Sequence, residues 1–204
     1  MARGERFDIP MMIHTGLIVT ALILALIGMT GGSWSVEEKS IETPNGEEKI
    51  TTTFDNATGL NDFSTTFCTD GFGGQLCYTE MDAYGTSDLS DAYDNCTTQG
   101  EASGGNESQI EESCGSLREA ATAGFTGTIF ISLAIITMIA TLVSTFLTIR
   151  GTSLPFSQFY PLGGSVMILI GVMAWYLMMP EPPDGSDPSF GLSGWLTILS
   201  AVIA

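Results

Sequence analysis

Four stretches of this chain, Ile9 to Gly31, Phe125 to Ile149, Phe159 to Met179 and Phe190 to Ala204, contain no Asp, Glu, Lys or Arg and are built largely from apolar residues. Lipid offers backbone N–H and C=O groups no hydrogen-bond partner, so an uncharged run of about 20 residues is stable there only as a helix roughly 30 Å long. The runs predict a membrane α-helical fold, a four-helix transmembrane bundle, with spans at 9–31, 121–149, 159–179 and 190–204. The last is the weakest. Its length of about 15 residues makes roughly 22 Å of helix, so either it crosses with little tilt and sits short or the chain is truncated. Residues 1–33 also have the basic start and apolar stretch of a signal peptide. The stretch is long for that role, and Met29-Thr30-Gly31-Gly32-Ser33 lacks a clear small-x-small cleavage site, so a retained span is expected.

Basic residues set the orientation, because Lys and Arg flanking a span are retained on the cytoplasmic side while Asp and Glu count for little. Arg3 and Arg6 precede the first run, and Arg150 marks the turn after the second. Both place residues 1–8 and the 150–158 turn in the cytoplasm, and the loops at 32–120 and 180–189 outside a cell membrane. All four cysteines, Cys68, Cys77, Cys96 and Cys114, fall in the first outside loop, where an oxidising compartment and an even count predict two disulfides. Glycines 71, 73 and 74 let the chain reverse between Cys68 and Cys77, which are therefore expected across adjacent antiparallel strands. A bridge there closes a short loop and would stabilise by roughly 2–3 kcal/mol on the chain-entropy account. Upstream, partial alternation, β-branched residues and Pro44-Asn45-Gly46 predict a β-hairpin following Trp34, itself expected at the membrane edge. The loop is thus expected to hold a small antiparallel extracellular β-sheet.

The formal net charge of −17 is concentrated in the same loop: from Gly32 to Ala120, 18 Asp and Glu face only Lys39, Lys49 and Arg118, a local charge of −15. Such a surface repels nucleic acid and anionic headgroups and attracts cations. Charge runs are mostly solvated faces, and that reading is preferred over a dedicated cation site, for which Glu80 and Asp82 are the candidates. Asp82, Asp88, Asp91 and Asp94 lack the Asp-x-Asp-x-Asp-Gly spacing that converges oxygens on calcium. Residues 82–113 are rich in Gly, Ser, Asp and Asn and bury too little apolar surface to offset the entropy of ordering. On composition they are expected to be disordered, tied back by Cys96 and Cys114. Asn-x-Ser/Thr glycosylation triplets begin at Asn56, Asn95 and Asn106.

Reaction chemistry has little footing. The single histidine, His14, lies in the first span, across the membrane from every cysteine on this topology, so it is no base for a nucleophile there. There is no zinc-type Cys/His cluster and no phosphate-cradling Gly-rich loop, so neither enzymatic activity nor a metal or cofactor is expected. Small residues instead recur every fourth position in the second span: Ala120, Gly124, Thr128 and Ser132, then Ala140, Ser144 and Thr148. With Gly16, Thr20, Gly28 and Gly32 in the first and Gly163, Gly164 and Gly171 in the third, they let helices approach closely.

Trp34, the Gly59-Leu60 pair and Cys68 and Cys77, set between one span and three more, resemble the signature of the claudin and peripheral myelin protein superfamily: Trp, then Gly-Leu-Trp, then Cys and Cys. Arg118 resembles that family's Arg at the start of the second helix. Asn61 stands where the signature has its second Trp, the interval from Leu60 to Cys68 is several residues longer, and Tyr78 rather than an acidic residue follows the second Cys. The resemblance implies a divergent member, a non-enzymatic integral membrane protein with a structural or adhesion role. Its extracellular sheet would associate laterally or with a facing membrane. The implied partners are membrane lipid and either further copies, as a homo-oligomer, or another membrane protein. The alternatives are an accessory subunit that modulates a channel or transporter, and a self-assembled cation-conducting path lined by the acidic loop.

Overall fold

In the computed structural model, which describes residues 9–45, 48–71, 74–80, 88–152, 154, 159–180 and 189–204, the chain runs through five helices and five strands. These are α1 (Ile9–Thr30), β1 (Ser35–Asn45), β2 (Glu48–Thr58), β3 (Phe63–Gly71), β4 (Gly74–Glu80), α2 (Leu89–Ala102), α3 (Glu107–Ile149), α4 (Tyr160–Met178), β5 (Ser189–Phe190) and α5 (Leu192–Ile203). By length and apolar composition α1, α3 and α4 can each cross a membrane, while α5 is a shorter apolar helix of 12 residues. Large aliphatic side chains stand exposed along all four, among them Ile23 and Ile27, Ile136 and Val143, Leu169 and Met173, and Leu199 and Val202. An outer surface of this kind is stable against lipid and not against water, and the chain is a membrane protein.

Helix α1 packs on α5 and α3, and α4 packs on α3 and α5, around a shared core that includes Ile18, Ala25, Ile131, Met138, Ile168 and Ala201. A seam of buried positions runs along α3 through Ala120, Gly124, Gly127, Ile131, Ala134, Met138 and Thr141, flanked by Ala123, and along α4 through Gly164, Ile168, Gly171 and Trp175, flanked by Val172. Steps alternating between four and three average 3.5 residues, which keeps the seam in line along the helix. The strict every-fourth row drifts away from this seam. Beyond Gly124, Thr128 and Ser132 are half-buried and Thr148 is exposed, because each step of four overshoots a turn by roughly 40°. Close approach needs small residues at the seam: a Cβ on Gly171 would stand 2.9 Å from the Phe130 Cβ, and one on Gly28 would overlap the Thr197 side chain. Two buried hydroxyls in this core are paired, Ser200 Oγ donating across to the Ala21 carbonyl of α1 at 2.8 Å and Thr197 Oγ1 to the Ser193 carbonyl of its own helix at 2.9 Å.

The sheet is antiparallel throughout, in the order β4-β3-β2-β1-β5. Four strands come from the first loop, and β5 is added from the residues just before α5, with Ser35 opposite Phe190. Thr, Ile and Phe concentrate in the central β2, where β-branched and aromatic side chains fit the pleat. Cys68 and Cys77 pair directly across β3 and β4 and are bonded.

The polar segment preceding the second span differs from expectation. Of residues 82–113, those from Leu89 to Ala102 form α2, and α3 has already begun at Glu107. Four local devices offset the low hydrophobicity. Asp88 caps α2 by accepting from the Ser90 and Asp91 amides, and Gly104 at φ +79° closes it, with the Gly104 and Gly105 amides returning to the Glu101 and Gly100 carbonyls. Asn106 and Gln109 form a reciprocal capping box at the start of α3. The Cys96–Cys114 disulfide then staples α2 to α3, over buried Leu89 and Ala92. At 43 residues α3 is about 64 Å long, roughly twice the thickness of a bilayer core, so its N-terminal part continues beyond the apolar layer.

Candidate functional site

Trp34, Gly59 and Leu60 of the loop signature meet where the sheet sits on the helices. Helix α1 ends at Thr30, leaving its last carbonyls without intrahelical partners. Trp34 turns back over this end, and its Nε1 donates to the Gly28 carbonyl at 2.7 Å. Its ring is completely buried and meets Trp175 of α4 edge-on, centroids 5.2 Å apart. Trp34 is therefore a core residue at the helix end, not an exposed aromatic lying in the interface. Its position at the foot of β1 is held on both sides, its amide donating to the Thr58 carbonyl and its own carbonyl accepting from the Gly191 amide. Phe190 extends the aromatic cluster, 5.9 Å from Trp175 and stacked on Tyr176.

Gly59 and Leu60 follow β2 and descend onto α3. Leu60 is buried, and its carbonyl occupies the space a side chain at Gly124 would need, while its Cδ2 lies 3.0 Å from where a Cβ on Gly127 would stand. The Gly59 amide donates to the Asp62 carbonyl at 2.7 Å and closes the small loop between them. Asn61, at the place of the signature's second Trp, reaches Thr128 of α3 from Nδ2, and its carbonyl accepts from the Leu89 amide at the start of α2. One loop thereby touches α3 and α2 in four residues. On the opposite flank the Ser193 amide donates to the Ser33 carbonyl, and the two serine hydroxyls lie 3.3 Å apart.

The other predicted residues lie apart from this junction. Arg118 projects from α3, ion-paired with the half-exposed Glu111 two turns earlier, an arrangement that contributes little to stability. It lines a shallow cleft of about 360 Å³ with Asn61, Asp88, Tyr93, Thr122 and Phe125. Cys68 is buried and Cys77 exposed, whereas Cys96 and Cys114 are both buried. Asn56 is in the middle of β2, Asn95 within α2 and Asn106 at the cap of α3. Glu80 ends β4, but its side chain and the whole of Asp82 lie outside the described residues. His14 is exposed on the outer face of α1. Among the described residues no three His, Cys, Asp or Glu side chains gather as metal ligands.

Gly127, Trp175, Phe190 and Gly191 belong to the junction and were not singled out for it from the sequence. Gly191 packs so closely on the Ser33 carbonyl that a side chain would overlap it. Nothing local distinguishes these positions from other small or aromatic residues of an apolar helix, since the partners arrive from distant parts of the chain. What the geometry defines is a closely packed joint between the sheet and the helices. No protein-family model matches the chain, and comparison with curated proteins finds no match.

Proposed function

We propose that this is a claudin-like multi-pass membrane protein of non-enzymatic, structural or adhesive role, presenting its sheet on the extracytoplasmic side for association with copies of itself. The proposed architecture is a left-handed four-helix transmembrane bundle, with α5 as a short fourth span and the N-terminus cytoplasmic. The 3.5-residue spacing of buried positions supports the handedness. The distribution of charge supports the orientation, since Arg150 ends α3 at the pole remote from the sheet while the carboxylates cluster at the other.

The observation that carries the association is the open sheet on a fixed base. Among the described residues β4 has a strand partner on one side alone, and β1 beyond Val36 has none on its outer side. Unpaired strand edges are templates for pairing with another chain. Held by the Trp34 and Leu60 contacts, they keep a constant attitude to the membrane. A photo-crosslinking residue placed at Thr79 on β4 tests this. In native membranes it is expected to give adducts of twice the chain mass, and their absence after efficient activation counts against self-association.

A second reading, an accessory subunit of a larger membrane protein, draws on the α2–α3 hairpin, which projects a stapled acidic surface beside the sheet. A stoichiometric larger partner in the same crosslinking and in mild-detergent purification favours it.

A further inference from the structure

We propose that Asn106 is the N-glycosylation site of this protein, chosen from three acceptor triplets by the way the chain folds. The triplet Asn106-Glu107-Ser108 lies at the tip of the α2–α3 hairpin, with all three residues exposed. Along α3 the tip stands about 27 Å from Phe125, where the apolar run begins, so a bulky, hydrated glycan there clears the apolar layer.

Chemistry at the side chain separates the two atoms of the amide. Asn106 Oδ1 carries the structural duty, accepting from the Gln109 amide at 3.0 Å and from Ser108 Oγ at 2.7 Å. Nδ2 donates to none of the described residues, and it is the atom that would be modified. The hydroxyl two residues on, Ser108 Oγ, is already hydrogen-bonded to Oδ1 of the acceptor amide, so the elements of the triplet stand together at the start of α3. In the transfer Nδ2 attacks the anomeric carbon of a polyprenyl diphosphate-linked oligosaccharide. The C–N bond forms, the C–O bond to phosphate breaks, the diphosphate carrier leaves with the electron pair, and one Nδ2 proton passes to base. The glycosylated amide keeps Oδ1 as a carbonyl oxygen, so the cap of α3 survives.

The other triplets are poorly placed. Asn56 lies in the central strand with ladder partners on both sides, Glu37 and Thr65, a few residues from the loop pressed against α3. Asn95 is inside α2, where Cys96 is bonded to Cys114 and Thr97 Oγ1 donates to the Asp94 carbonyl, so the backbone is fixed as helix and the hydroxyl is turned elsewhere.

The inference rests on the proposed extracytoplasmic placement of the sheet and the α2–α3 hairpin, together the cap of the molecule. Mass spectrometry of intact protein and peptides from its own cells tests it, with Asn106→Asp, Ser108→Ala, Asn95→Gln and Asn56→Gln variants. Asn106→Asp keeps the capping oxygen and removes the amide nitrogen, and Ser108→Ala breaks the triplet while leaving the cap residue. The expected result is a single glycan, lost in both of these and kept in the other two. An unmodified Asn106 peptide, or a glycan that persists in Asn106→Asp, overturns the assignment. Protease treatment of intact cells separates the causes: a cleavable cap with bare Asn106 defeats the site alone, and a protected cap defeats the topology together with it.

Discussion

The Leu60 carbonyl lies where any side chain at position 124 would have to go. A backbone oxygen in a closed turn has no rotamer by which to withdraw, so Gly124→Ala must push the loop off α3 or separate the strands behind it. Overpacking of this kind costs typically about 1–3 kcal/mol, and thermal unfolding in detergent is expected to show a loss in that range. A similar substitution at Gly16, which faces open space, is expected to be neutral or slightly stabilising in the same assay. The two buried tryptophans offer a second comparison. Trp34 satisfies the Gly28 carbonyl, whereas the Trp175 Nε1 has no hydrogen-bond partner among the described residues. Replacing either with Phe removes ring volume, but Trp34→Phe also strands an acceptor and Trp175→Phe removes an orphan donor. The first is expected to be the more destabilising by about 1–3 kcal/mol, and the reverse order would show that the Trp34 bond is not what anchors the sheet.

Among the elements, α2 depends most on its surroundings. Its polar sequence gives it little reason to be a helix alone, and an isolated helix of 14 residues is marginal even with good propensity. The cap at Asp88, the Gly104 turn and the link from Cys96 to Cys114 supply what composition lacks. The disulfide spans 18 residues, for which the chain-entropy account gives roughly 3 kcal/mol. A Cys96→Ser, Cys114→Ser double variant is therefore expected to expose the α2 amides to hydrogen exchange, while α1, α4 and α5 keep their protection. Loss of protection across all helices would mean that the hairpin supports the membrane core, contrary to its position beside it. The composition of 82–113 pointed to disorder because composition measures available burial and misses caps and cross-links, each of which acts at one residue. Asp88, Gly104 and Asn106 are the local signals from which the two helix ends could have been read.

For the molecule as a whole, the decisive contrast is between a wide aliphatic surface and a strongly acidic cap. The first predicts which tryptophan meets lipid: Trp195 is 58% exposed on α5, while Trp34 and Trp175 are buried. In bilayers containing brominated lipid, fluorescence quenching is expected to be confined largely to Trp195 and to disappear in Trp195→Phe; strong residual quenching would mean that the helices pack differently. The existence of the long apolar helices, the hairpin after Trp34 and the strand pair carrying Cys68 and Cys77 were legible in the sequence. Each rests on a property of neighbouring residues: an uncharged run against lipid, alternation in a strand, or glycines where the chain reverses. The joint was legible only as separate marks, Trp34 here and Gly59-Leu60 there. That the Trp34 ring would cap α1 and rest on Trp175, that Leu60 would use the gap at Gly124, and that β5 would join the sheet from the far end of the chain depended on which helix faces came together. Local chemistry thus determined the elements and the solvent each would tolerate, whereas their meeting was decided by packing, because close approach depends on distances between residues the chain order does not make neighbours.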